Sequence, residues 1–81
     1  MKLLKFYADW CGPCKMLSKV VEGMEVKMPI ENIDIETQQD LAIKYKVRGV
    51  PTCVLVEDDG TEIKRKVGMM SEKDFKQFIG E

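Results

Sequence analysis

Two thiols separated by two residues, in the segment Trp10-Cys11-Gly12-Pro13-Cys14, are the groups in this sequence best suited to chemistry. They follow an apolar run, Leu3-Leu4-Lys5-Phe6-Tyr7, and open a segment of helical character. At a helix start the two sulfurs are close enough to bond, and the helix dipole favours the first of them as a thiolate. A thiolate attacks disulfides, so the expected chemistry is thiol–disulfide exchange. Cys11 is the expected attacking thiolate, preceding the helix and free to remain exposed. Cys14, one turn in and more buried, is expected to resolve the mixed disulfide. A purely structural disulfide is the competing reading, but so small a loop constrains the unfolded chain little. The third cysteine, Cys53, lies in a strand-like run and reads as a small buried hydrophobe. With three cysteines and no histidine, a closed zinc site would need a carboxylate or a second chain, so no metal site is assigned.

The elements that must carry these thiols follow from periodicity. Residues 2 to 7 read as a buried strand, and Cys14, Leu17, Val21 and Met24 recur at helical spacing, with Met16 and Val20 beside them. Pro13 suits the first helical turn, where its missing N–H has no partner to lose, and Gly23 suits the end. A short alternating strand spans Ile30 to Ile35, and Thr37-Gln38-Gln39-Asp40 reads as a helix-capping signal before Leu41, Ala42 and Tyr45. After Gly49-Val50-Pro51, Thr52 to Val56 is strand-like, Asp58-Asp59-Gly60 is a hairpin turn, and Ile63 to Val67 returns antiparallel. A last helix begins near Ser71-Glu72-Lys73-Asp74 and places Phe75, Phe78 and Ile79 on one face. The order βαβαββα predicts an α/β fold with a four-stranded mixed sheet and three helices.

The 81 residues are expected to form one domain, 1–81, with no repeat, linker or low-complexity segment. Thirteen basic and 14 acidic side chains leave a net charge of −1, which offers no broad attraction to nucleic acid or anionic lipid. No apolar run approaches membrane-spanning length and no signal-peptide pattern is present, so a cytoplasmic location is expected. Three cysteines are too few, and too oddly numbered, for a secreted disulfide framework. Lys64-Arg65-Lys66 reads as the solvated face of an edge strand.

Taken together, Phe6-Tyr7-Ala8-Asp9-Trp10-Cys11-Gly12-Pro13-Cys14-Lys15, Asn32-Ile33-Asp34, Val47-Arg48-Gly49-Val50-Pro51-Thr52 and Val67-Gly68-Met69-Met70-Ser71 resemble the thioredoxin family, in that family's order and over nearly the whole chain. A lone CxxC is weak, whereas CGPC followed by Val-Pro-Thr before a strand is specific. The chain is shorter than usual, lacking the family's opening strand and helix, which makes the segment from Ile30 to Asp34 a sheet edge, with Pro29 at its start. The resemblance implies a cis Val50–Pro51 bond packed against the dithiol. It implies that Trp10 is an exposed wall beside the sulfur, with Tyr7 in the core. It implies that Gly12, Pro13, Val50, Pro51, Gly68 and Met69 belong to a substrate groove whose backbone pairs with an extended segment.

The activity so implied is reduction of disulfides in target proteins by a monomer that needs no bound cofactor and is regenerated by a thioredoxin reductase or equivalent donor. Two other readings remain at this stage: a glutathione-dependent carrier like glutaredoxin, suggested by the length, and a binding or assembly subunit that uses the groove without turnover. Lys5 departs from the family, which usually has a buried aspartate at the matching position to help deprotonate the resolving cysteine. Lys5 either lies charged near Cys14, stabilising thiolates and making the couple more oxidising, or reaches solvent and pairs with Glu31.

Overall fold

In the computed structural model, which describes residues 1–80, the chain runs β1 (Lys2–Tyr7), α1 (Gly12–Glu22), β2 (Ile30–Asp34), α2 (Gln39–Lys44), β3 (Thr52–Val56), β4 (Glu62–Val67) and α3 (Glu72–Ile79). All seven elements expected from the sequence are present in the expected order. The strands form one sheet in the order β2-β1-β3-β4. β1 pairs parallel with β2 and antiparallel with β3, and β3 pairs antiparallel with β4, so the sheet is mixed and β2 is an edge.

The two central strands are buried because both of their faces are covered. Side chains alternate across a strand, so Leu3, Lys5 and Tyr7 leave β1 on one side and Leu4 and Phe6 on the other. On the first side, Leu3, Cys53 and Leu55 pack with Leu17 and Val21 of α1 and Phe75 and Ile79 of α3. On the second, Leu4, Phe6, Ile33, Val54 and Val56 pack beneath Tyr45, with Leu41 and Ala42 of α2 against them. β4 is an outer strand with mostly exposed side chains, including Lys64 and Lys66, as a charged edge should be. Its Arg65 is tied inward, donating to both carboxylate oxygens of Glu62 and to the Tyr45 carbonyl.

The helix ends follow local chemistry. Ser71 caps α3, its hydroxyl accepting the Asp74 N–H at 3.1 Å, and α1 ends at Gly23, whose N–H donates to the Lys19 carbonyl. The β3–β4 hairpin closes through the Glu57 N–H to the Thr61 carbonyl at 2.8 Å. There Gly60 adopts φ +91°, a left-handed conformation that a side chain would strain, and its carbonyl accepts the Tyr45 hydroxyl at 2.7 Å.

Two expectations are corrected. The capping signal at Thr37 is not used: α2 starts one residue later than that signal implies, with Gln38 at the cap and no side-chain capping bond. The Asp34 carboxylate instead accepts the Glu36 N–H, and the Asp34 carbonyl the Gln38 N–H, so a turn spends these residues before the helix begins. The partner of Glu31 is Lys2, at 2.9 Å, and not Lys5. Glu31 lies opposite Leu4 in the parallel register, and Lys2 shares the parity of Leu4 whereas Lys5 faces the other side.

Candidate active site

The thiols sit where β1 hands over to α1. A turn closes from the Cys11 N–H to the Ala8 carbonyl at 3.1 Å, lifting Trp10 into solvent at 69 % exposure and setting Cys11 at the N-cap of the helix. Gly12 and Pro13 fill the first two helical positions, both exposed, where proline costs no hydrogen bond. Cys14 follows on the inward face of the first turn. The two cysteines form a disulfide with their Cα atoms 5.2 Å apart. Cys11 Sγ also accepts the backbone N–H of Cys14 at 3.1 Å, in the manner of a capping oxygen. On reduction that N–H and the positive end of the helix dipole face whatever charge the sulfur develops, which is the physical basis for a reactive thiolate at this position.

Burial differs from expectation. Cys11 is 4 % exposed and Cys14 3 %, so in the closed pair neither sulfur protrudes. The cover over Cys11 comes from its surroundings: Ala8 is buried with the pair, and Tyr7, Ile35 and Val50 pack on them. Tyr7 is therefore half-buried against the disulfide rather than fully in the core. The Val50 carbonyl oxygen lies 3.7 Å from Cys11 Sγ, a contact in the disulfide state since that sulfur then has no proton to donate.

The segment opposite the dithiol is held from two sides. The Val50–Pro51 bond is cis. Thr52, buried, donates its hydroxyl to the Gly49 carbonyl at 2.6 Å, and the Gly68 N–H donates to the Pro51 carbonyl at 2.8 Å. Gly68 adopts φ +100°, so this turn after β4 requires glycine. The turn exposes Val67 and Met69 while burying Met70, and Met69 is thus on the surface rather than in the core. The expected groove residues Val50, Pro51, Gly68 and Met69 are brought together by these bonds, and Trp10, Gly12 and Pro13 lie beside Cys11 in the chain.

Lys5 is 5 % exposed beneath α1, opposite Cys53 in the antiparallel register. Its Nζ donates to Ser18 Oγ at 2.8 Å. Burial pushes the Lys5 pKa down, opposed by the nearby Cys53 and Glu22. Burial likewise pushes the Cys53 thiol up, to about 11, which leaves it a thiol at neutral pH and chemically quiet. Sequence reasoning missed Ser18. Its signal was its place four residues after Cys14, on the same helix face. Among the described residues no cluster of acidic, cysteine or histidine side chains could hold a metal ion, and no helix is long and apolar enough to cross a membrane.

Comparison with known proteins agrees with this geometry. The thioredoxin family profile matches residues 1–81. Thioredoxin of Chlamydia trachomatis is 41 % identical over 70 residues, covering 83 % of this chain and 68 % of that protein. Thioredoxin of Bacillus subtilis is 36 % identical over 81 residues, covering 95 % and 77 %. A mutant thioredoxin from Halobacterium salinarum superposes with a TM-score of 0.87 at 45 % identity, covering 96 % of this chain and 70 % of that one. The thioredoxin of Fasciola hepatica gives 0.86 at 29 % identity, covering 98 % and 77 %. With its disulfide at the N-terminus of α1 and the cis Val50–Pro51 segment facing it, the chain belongs to the thioredoxin family, whose chemistry is thiol–disulfide exchange.

Proposed function

We propose that the chain, residues 1–81 acting as one unit and as a monomer, reduces disulfide bonds in other proteins. The observation that carries this reading is Cys11 Sγ at the cap of α1, receiving the Cys14 N–H and facing Val50. In the reduced protein the Cys11 thiolate attacks one sulfur of a target disulfide. The target's other sulfur leaves with its electron pair and takes a proton, and a mixed disulfide joins Cys11 to the target. Cys14, deprotonated, then attacks Cys11 Sγ; the mixed disulfide breaks, the target leaves as a dithiol, and the Cys11–Cys14 bond closes. Two electrons have passed to the target, and a reductase of the thioredoxin type restores them.

Trp10, Gly12, Pro13, Val50, Pro51, Gly68 and Met69 form the surface on which an extended target segment lies. The exposed apolar side chains of Trp10 and Met69 support this assignment. A cytoplasmic setting belongs to the same reading, because a reducing compartment keeps both the working dithiol and the third cysteine in their thiol forms.

The test is turnover of a disulfide-bonded protein with a dithiol as the terminal donor. Cys11→Ser reduces turnover to background, and Cys14→Ser traps the target as a mixed disulfide on Cys11. Undiminished turnover by Cys11→Ser overturns the reading.

A further inference from the structure

Beneath α1 the fold buries a charged side chain that the exchange scheme does not use. Lys5 leaves β1 on the side covered by α1 and α3, between the fully buried Leu3 and the half-buried Tyr7. Its hydrogen bond runs to Ser18 Oγ at 2.8 Å. Ser18 stands one helical turn after Cys14, and both line an open pocket of about 360 Å³ between α1 and the loop after β1. An oxygen that accepts from an ammonium keeps its own proton for a further acceptor, and Cys14 lies on the pocket side.

The other charges nearby are balanced. Asp9 and Glu22 share the pocket rim with Lys15 and Lys19. Glu22 also favours the charged form of Lys5. Across the sheet Cys53 remains a neutral thiol, so once the disulfide opens Cys14, one helical turn before the serine that holds Lys5, is the sulfur on which the lysine can act.

We propose that Lys5 is a positioning residue for the exchange reaction: acting through Ser18, it favours an anionic sulfur at Cys14 and so makes the Cys11–Cys14 couple a better electron acceptor. The inference rests on the exchange reading above. When the couple is reduced, a donor dithiol loses two electrons and closes to its own disulfide. The Cys11–Cys14 bond takes those electrons and breaks, and each sulfur that ends as a thiol takes one proton. A cation held one helical turn from Cys14, through Ser18, stabilises the product in which that sulfur stays unprotonated. The reduced form is thereby favoured and the potential rises. When a target is being released, the same cation keeps the Cys14 thiolate available to close onto Cys11.

Two quantities in the full chain test this: the equilibrium constant of the couple against glutathione redox buffers, and the Cys14 pKa in a Cys11→Ser background, followed by thiolate absorbance. Lys5→Met keeps the apolar stem and removes the charge. It shifts the equilibrium about tenfold toward the disulfide, equivalent to about 30 mV for a two-electron couple, and raises the Cys14 pKa. Ser18→Ala leaves the lysine in place and shifts both quantities in the same sense, by about threefold. A folded Lys5→Met with both quantities unchanged, or moved in the opposite sense, overturns the proposal. If Lys5→Met does not fold, Ser18→Ala decides, and an unchanged Cys14 pKa there overturns it. A null result in these variants with Cys11→Ser inactive removes this inference and leaves the exchange reading standing; undiminished turnover by Cys11→Ser removes both.

Discussion

On the α2 side of the sheet, Leu4, Phe6, Ile33, Val54 and Val56 make an apolar layer whose buried polar side chain, Thr52, is uncharged and donates to the Gly49 carbonyl, whereas on the α1–α3 side the two central strands set Lys5 and Cys53 next to each other among Leu3, Leu17, Leu55 and Phe75. The first side's other polar links lie at the rim, where the Tyr45 hydroxyl reaches the Gly60 carbonyl and Arg65 reaches the Tyr45 carbonyl. The second places a charged group in the interior, with a serine from the helix as the partner of the lysine. Burying an ammonium against a single hydroxyl costs stability that an aliphatic side chain would not. The contrast separates the duties of the two layers: the α2 side holds the sheet together, and the α1 side gives up some stability beside the reactive helix.

If that division holds, the largest effect on folding comes from the apolar side. Phe6 is fully buried with its ring 6.1 Å from that of Tyr45, so Phe6→Ala lowers unfolding free energy by about 3–5 kcal/mol. Urea titration checks this. The comparison breaks if the loss stays under about 1 kcal/mol, the range of an exposed site.

Next in size is an alkaline effect from the other side. Folded, the Cys53 thiol is held at about 11, against 9.0 when free of its surroundings. Between those values the folded chain binds more protons than the unfolded one, so this group's contribution to stability falls as pH rises, by about 2–3 kcal/mol across the window. Lys5 acts in the opposite sense: its folded pKa lies below 10.5, so under that value the unfolded chain binds more protons and stability rises with pH. In Cys53→Ala the thiol contribution is removed while that of Lys5 stays, and the variant gains on the wild type steadily from pH 9 to 11. Parallel stability curves for the two proteins would show that Cys53 does not titrate as its burial requires.

The smallest effect returns to the rim. Tyr45→Phe deletes the hydrogen bond to Gly60 and lowers stability by about 1 kcal/mol. Exchange activity stays unchanged, because this anchor lies on the α2 side. A parallel loss of turnover would mean that the two layers are coupled.

The fold was legible because each element carries its own local signal. Apolar continuity marked β1 and β3, the Asp58-Asp59-Gly60 turn marked the hairpin, and Ser71 marked the start of α3, where its hydroxyl is indeed the cap. The Cys11 and Cys14 pair was legible from its spacing together with its place between an apolar strand and a helix. What escaped were properties set by register and by three-dimensional cover. Glu31 meets Lys2 because parallel pairing places it opposite Leu4, and no local pattern states that offset. Cys11 is buried because Val50, distant in sequence, closes over it. Thr37 has a capping side chain, yet the turn at Asp34 decides where α2 begins.

The placement of Cys53 in the central strand β3, fully enclosed beneath α1 and α3, gives the protein an internal clock. With the Cys11–Cys14 bond closed it is the remaining free thiol among the described residues, and an alkylating reagent can reach it only after α1 or α3 lifts from the sheet. Its labelling rate therefore counts openings of the core beneath these helices, while the working dithiol, once reduced, reports on its own helix turn. One native sequence thus carries two chemical probes of motion, one for the reactive end and one for the α1–α3 core.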